Sequence, residues 1–545
     1  MTPDADNNLP PILRPARPPR RSLSDLVSRF SGRLCSGSGD VLLTGMTLSA
    51  DDIRPGDAFV ALPGSRYHGA EFASVAAERG AAAIITDDNG AALISDPDPP
   101  LVTVPDPRAL LGAMAAWMYG TDTDLPHLLA VTGTNGKTSV AHLLKAILTQ
   151  LGVVAGLSST AERHIGSEVI TSRLTTPEAT EFHALLAHMK ERGVEAVADE
   201  VSAQALVRHR VDGIVFDVAG FTNLTHDHLD DFGDMDTYFH AKLPLFTPEH
   251  SRRAVVSLDS DYGAPLVAAS RVPTTTIVTP AIASAAATAE WTVDITAERQ
   301  DGTAFTLRGP GGRELNTTVP VIGRHMAANA GLAIVMLVEA GYEWDRILDA
   351  LEGTRIEAAL PGRTQRISGE GGPAVYLDFG HSPDAFDKTL AAVRRVTPGR
   401  VLMLFGADGD RDATKRFDMG RVAALGSDIL IITDHHPRHE NPDDIRKELL
   451  AGARAAPART EILEFSPPER AIIEAVQRVG DGDAILWAGP GHQDYRDIRG
   501  VRAPYSAREL ARRALAVAGW SPPPPTWHVP YPEDSTPPSD PTRPA

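Results

Sequence analysis

The heptapeptide TGTNGKT, residues 132–138, follows the apolar run LLAV and precedes SVAHLLKAILTQ, so a glycine-bearing turn joins a predicted strand to a predicted helix. That is the setting of a phosphate-binding loop. Gly133 and Gly136 let the backbone curl until its N–H groups face phosphate oxygens, with Thr134 and Asn135 between them and Ser139 just inside the helix. Lys137 can neutralise β- and γ-phosphoryl oxygens, and Thr138 can hold a magnesium ion. The spacing G-x-x-G-K-T is shorter than the usual G-x-x-x-x-G-K-[ST]. The competing reading is a helix-capping loop, which Thr and Asn also suit. A second cluster lies in AVADEVS, residues 196–202, an apolar run ending in Asp199 and Glu200. Magnesium takes one or two carboxylates beside phosphate oxygens, so one of these two could oppose the loop. The stretch 222–242, TNLTHDHLDDFGDMDTYFHAK, adds Asn223, His226, Asp227, His228, Asp230 and Lys242. Taken singly, a His-Asp pair there is more often a turn or a salt link than a metal site.

Placing such residues together requires a scaffold, and the chain supplies an alternating one. β-Branched runs such as VLMLF (401–405) and DILIIT (428–433) alternate with Ala- and Leu-rich helical stretches, which predicts the α/β class with parallel sheets covered by helices. Several runs end in Gly, Asp, His or Thr, putting polar groups at strand carboxyl ends, where open α/β sheets bind ligands. The 545 residues allow three or four domains at about 150 residues each. Three segments are expected, 23–123, 124–352 and 353–520, between a Pro- and Arg-rich leader (1–22) and a Pro-rich tail (521–545), both expected to be disordered. The net charge of −19 argues against a nucleic-acid or anionic-membrane surface. Cys35 is the single cysteine, which excludes disulfide frameworks and Cys-based metal sites and suits a reducing cytoplasm. The longest apolar run, Ala330–Val338, is too short to span a membrane. Only seven of the 52 basic residues are Lys, so Lys137 and Lys242 stand out as positions where an amine is specifically wanted.

In order, TGTNGKT, TTP, EVS, TNLTHDHLD, HAK, PGR and DFGHSPD resemble the Mur ligase family of ATP-dependent amide-bond-forming enzymes, in particular the branch that adds the third residue of a peptidoglycan stem. The resemblance runs over residues 40–518. It implies a three-domain Mur ligase architecture: an amino-terminal UDP-sugar acceptor domain, a central P-loop ATPase domain and a Rossmann-like carboxyl-terminal domain for the amino acid. It implies that Gly133 to Ser139 with Asn329, Arg363 and Asp378 bind ATP, and that Thr138, Glu200 and His228 bind Mg2+. Lys242 matches the lysine that the family carbamylates with CO2. Thr175, Thr176, Ser202 and Arg210 match acceptor-gripping positions. Arg411, His435, His436, Pro437, Arg438, Gly489 and Gln493 fall on the amino-acid pocket.

Departures from the family pattern cluster on the substrates. Its Asp-Ser-Arg uridine motif falls on Ser49, Ala50 and Asp51; its Asp-Asn-Pro-Arg motif falls on His435 to Arg438; and Gln493 replaces a glutamate. Arg438 and Arg411 remain able to clamp a carboxylate, so a carboxylate-bearing amino acid is expected. The resemblance implies a monomeric cytoplasmic ligase acting on small molecules. The alternatives are a paralogue with a non-UDP acceptor and a non-catalytic nucleotide-binding relative.

Overall fold

A computed structural model describes residues 10, 12–64, 67–95, 97–284, 287–369 and 371–520. The Pro-rich tail, 521–545, lies outside the described residues. The middle of the chain builds one 11-stranded sheet whose seven inner strands run parallel. The strand His127–Thr132 lies between Ala196–Glu200 and Phe216–Phe221. In register, Val131 pairs with Glu200 and Thr132 with Phe221, so the three carboxyl ends finish level along one edge. The turn 133–136, Glu200 and the start of 222–242 are therefore neighbours by topology.

Two helices cover one face. Lys137–Gln150 and Arg324–Glu339 bury Leu143, Ile147, Leu332 and Met336 in a common core with Leu129 and Val218. Each such side chain contributes roughly 1.5–3 kcal/mol by leaving water. The apolar run 330–338 is thus a core helix, and among the described residues no helix is long and apolar enough to cross a membrane.

The carboxyl-terminal sheet has six strands in the order Gln365–Arg366, Ala374–Asp378, Ala484–Ala488, Val401–Phe405, Ile429–Ile432, Glu461–Glu464, parallel except the first. The central core extends further along the chain than the break expected after residue 352. Ile356, Ala358 and Leu360 are buried in it, their two-residue period laying one apolar edge along the central sheet. The chain crosses at Pro361. The next residue, Gly362 (φ +63°), touches the other domain so closely that a Cβ would lie 2.2 Å from the Gly491 carbonyl carbon.

The amino-terminal sheet runs Arg33–Ser36, Leu101–Thr103, Ala83–Thr86, Asp57–Val60, Gly45–Thr47. Its helix Pro107–Tyr119 packs on the central helix Ala179–Glu191. At that junction His183 is fully buried: Nδ1 lies 2.6 Å from the Thr121 hydroxyl, and Nε2–H donates to the Asp212 carbonyl at 3.1 Å. Burial pushes its pKa down to about 4. The unfolded chain takes up a proton near pH 6.5 that the folded site refuses down to about 4, so folding stability is lost as pH falls across that window, by on the order of 2–3 kcal/mol. Thermal melts of wild type and His183→Gln from pH 7 to pH 4 check this; the variant's midpoint should fall by less.

The leader departs from expectation. Residues 12–22 are packed rather than disordered: Arg21–Ser22 pair as a short strand with Leu42–Leu43, and the residues before them are held through side chains. Arg14 donates to both oxygens of Asp57 at 2.6 Å, and both side chains are buried. Arg54 donates to the Ile12 carbonyl at 2.9 Å. The Ala16 and Arg17 N–H groups donate to Glu191 at 2.6 and 3.0 Å. Composition alone reads such a segment as unstructured.

Candidate active site

The loop 133–136 is shaped by close approach. A Cβ on Gly133 would lie 2.0 Å from the Thr222 hydroxyl, and one on Gly136 2.8 Å from Oδ1 of Asn329. The Asn135 N–H donates to Asn223 Oδ1 (3.1 Å), while Asn223 Nδ2 and the Thr222 hydroxyl donate to the Asn135 carbonyl (3.1 and 2.7 Å). The Thr134 hydroxyl donates to the Thr225 carbonyl at 3.2 Å. Ser139 is buried in the first turn of the helix beginning at Lys137. No side chain caps that helix, so its first N–H groups are left for an anion.

Lys137 Nζ donates to the loop's own carbonyls, Gly133 (3.0 Å) and Thr134 (2.8 Å). Lys242 Nζ donates to the same Gly133 carbonyl at 3.1 Å and lies 4.3 Å from the Tyr238 ring centre. Burial lowers the pKa of both amines; for Lys242 the shift is large, and the neighbouring charge of Lys137 adds to it. Of the two candidate carboxylates it is Glu200 that faces the loop, accepting from the Thr138 hydroxyl at 2.9 Å. Asp199 points to the opposite face of the strand, as alternation requires. It is buried near Ser158 and Arg163, and burial pushes its pKa up to about 8. His228 adopts a left-handed backbone (φ +56°) beside Tyr238, where burial depresses its pKa. Its ring lies with Asp230 and Asp231 in a group whose ligand atoms fall within 4.8 Å of one another.

The carboxyl-terminal domain closes directly on this loop. Arg363 donates to the Thr138 hydroxyl (3.0 Å), with its guanidinium 4.7 Å from the Phe379 ring centre. Asn135 donates to Asp384 (3.0 Å) and Lys415 to Asp227 (3.0 Å), and His381 lies 3.7 Å from Asp227. Burial alone would raise the pKa of Asp227, but His381, Lys415 and His228 together hold its carboxyl well below the usual range. Asp378 stands beneath the Arg363–Thr138 contact. It accepts from the N–H groups of Thr364 (2.7 Å) and Gly380 (2.6 Å), fixing the turn that carries Arg363.

On the acceptor side, the Thr175 and Thr160 hydroxyls are 3.0 Å apart, and Thr160 donates to Glu200 from its N–H (2.8 Å) and its hydroxyl (3.0 Å). The Thr176 hydroxyl donates to the Glu200 carbonyl at 2.8 Å. Ser202 caps the helix Ala203–Val207 through the Ala205 N–H, and Arg210 is buried with Nε donating to Glu178 at 2.8 Å, so its charge is already paired.

In the carboxyl-terminal domain His435, His436, Arg438 and Gln493 gather around Asp408 or one another, and Gly489 (φ +110°) lies against His435. Pro437 joins the histidine pair to Arg438, which is itself left-handed (φ +50°). Arg411 is exposed and makes no ion pair among the described residues. Ligand atoms of Asp408, His435 and His436 lie within 4.8 Å of one another. His436 is nonetheless a poor metal ligand: the Asp497 N–H donates to its Nδ1 (2.9 Å), which leaves the proton on Nε2, donated to Gln493 Oε1 (2.8 Å). His435 is neutral, its pKa lowered to about 3 by burial and by His436.

The Mur ligase family catalytic domain matches residues 42–119, the Mur ligase middle domain 131–337, and the Mur ligase glutamate ligase domain 362–491. The chain is 55% identical to the UDP-N-acetylmuramyl-tripeptide synthetase of Leifsonia xyli over 94% of its own length and 99% of that protein. The chain belongs to the Mur ligase family. It is also 40% identical to the UDP-N-acetylmuramoyl-L-alanyl-D-glutamate–2,6-diaminopimelate ligase of Streptomyces coelicolor, over 92% and 98% of the two chains. Among solved structures, a UDP-N-acetylmuramoyl-L-alanyl-D-glutamate–2,6-diaminopimelate ligase aligns with TM-score 0.62 at 24% identity, over 92% of this chain and all of that one. MurF of Acinetobacter baumannii aligns with TM-score 0.65 at 17% identity, over 92% and 99%. Both share the fold.

This Mur ligase is thus an ATP-dependent, ADP-forming acid–amino-acid ligase, of the tripeptide-synthetase type its motifs indicated. Sequence reading missed two residues that lie within the candidate site. Thr160 ends the polar run SST after the strand Ala155–Ser158, a strand-end cluster that could have been marked like the others. Asp408 sits in GADGD and is indistinguishable by spacing from Asp410 and Asp412.

Proposed function

We propose that this Mur ligase activates the terminal carboxylate of a UDP-muramoyl dipeptide and couples it to an amino acid during peptidoglycan synthesis. The observation that carries the reading is the meeting of Lys137 and the buried, weakly basic Lys242 on one loop carbonyl, beside the Thr138–Glu200 pair. The donors fit magnesium: a carboxylate and a hydroxyl are hard oxygen ligands, and His228 stands near them. Thr138, Glu200, His228 and, once carbamylated by CO2, Lys242 would hold the metal, which neutralises charge on the polyphosphate. Lys137 leaves the loop carbonyls to meet the transferring phosphoryl group, and Arg363 approaches from the other domain. The γ-phosphoryl passes to a carboxylate oxygen and ADP leaves. The amine nitrogen then attacks the acyl carbon, inorganic phosphate departs and the amine loses a proton. The enzyme acts as a cytoplasmic monomer on these small molecules.

A second reading, with a non-UDP acceptor, has one observation in its favour. At the expected uridine motif, the Ser49 hydroxyl accepts from the Asp51 N–H (3.2 Å) and Asp51 pairs with Arg79 at the surface (3.0 Å), so the three residues present no cation of their own. ADP release with Mg2+ and bicarbonate, measured for UDP-muramoyl dipeptide and for an unmodified dipeptide across acidic, neutral and basic amino acids, separates the two. Turnover is expected with the UDP acceptor. Turnover with the bare dipeptide alone favours the second reading, and no ADP release with any pairing overturns both.

A further inference from the structure

The segment 172–176 lies over Glu200 and is held on its inner side by buried Arg163, which donates to the Ser172 hydroxyl (2.6 Å) and to the Leu174 carbonyl. Its outward side chain, Arg173, leaves the central domain altogether. Both terminal nitrogens donate to the carboxylate of Asp52 in the amino-terminal domain, at 3.0–3.2 Å, and its Nε donates to the Pro10 carbonyl of the leader. Arg173 and Asp52 are each about four-fifths buried. The same leader strand is pinned to the amino-terminal domain by Arg14, which also reaches the Asp52 carbonyl (3.2 Å), and to the central helix at Glu191.

From Arg173 a short covalent path leads to Thr175, whose hydroxyl meets that of Thr160, and Thr160 grips both oxygens of Glu200. A planar fork seated on a carboxylate in another domain fixes direction as well as distance. We propose that Arg173 is a positioning residue: seated on Asp52 and the Pro10 carbonyl, it transmits the placement of the acceptor domain through segment 172–176 to the Thr160–Glu200 arm of the magnesium site. This rests on Glu200 being a magnesium ligand. Its consequence is that metal affinity depends on a contact between two other parts of the chain, so an acceptor domain that swings away loosens the metal arm.

The test uses Mn2+ as a probe, titrated by electron paramagnetic resonance into the full-length protein with a non-hydrolysable ATP analogue, and needs no acceptor. Arg173→Ala and Asp52→Asn should each weaken Mn2+ binding by about 10-fold, the scale at which supports behind a metal ligand act. The double variant should be no weaker than either single one, because both break the same link. Asp52→Asn leaves the sequence of segment 172–176 intact, and melting curves monitor the rest of the fold. Unchanged Mn2+ binding in the single variants, or additive losses in the double one, overturns the relay while Glu200→Gln still abolishes binding. If Glu200→Gln binds Mn2+ as tightly as wild type, the ligand assignment itself fails and the relay with it.

Discussion

Lys137→Ala lowers ADP release by on the order of 10²–10³-fold, the loss that follows removal of one charge-stabilising donor from a preorganised site. Its ammonium donates to the Gly133 and Thr134 carbonyls of the loop, and burial lowers its pKa, so it is a cation held at the phosphate-binding turn rather than in the core packing. The folded protein should therefore keep its melting temperature within a few degrees while losing turnover. Initial-rate assays beside a thermal melt make the comparison. Residual activity within about tenfold of wild type would assign phosphoryl stabilisation to Arg363 and the helix amino end instead.

Lys242→Ala should cost a similar factor, with a signature of its own. CO2 adds only to an unprotonated amine, and an ordinary lysine is almost wholly protonated at neutral pH. Burial and the charge of Lys137 push Lys242 well below its ordinary value, which favours the unprotonated amine that CO2 needs. Protein stripped of CO2 should lose turnover and regain it with bicarbonate, and 13C-bicarbonate should give a carbamate resonance absent from Lys242→Ala. Wild-type turnover indifferent to CO2 would leave Lys242 as a structural amine.

What the sequence made legible is the part of the site built from contiguous stretches. TGTNGKT, EVS and TNLTHDHLD each sit at one strand end, and a parallel register makes such ends meet. Residues that need two domains were harder to place. Even within the central domain, the pairing of Arg210 with Glu178 is not visible in the sequence. Arg411 shares its stretch with Asp412 and Lys415, which do face the central domain, but its own side chain turns to solvent. Asp199 and Glu200 differ by one position, and only the pleat decides which of them meets Thr138. The leader shows the limit from the other side: its prolines suggested disorder, and the salt bridge that orders it joins residues 43 apart.

The crossing between the central and carboxyl-terminal domains is a single residue, Pro361, between Leu360 in one core and Gly362 jammed against Gly491 in the other. Such a joint makes the last domain a lever with its fulcrum beside the phosphate loop. Arg363 stands almost on the pivot and sweeps a short arc, whereas Asp384 and Lys415 are carried on longer arms. If the last domain turns about this joint, the Asn135–Asp384 and Asp227–Lys415 links are expected to part before the Arg363–Thr138 contact. On that geometry, the arginine beside Thr138 is the group of the last domain least displaced by a change in domain angle.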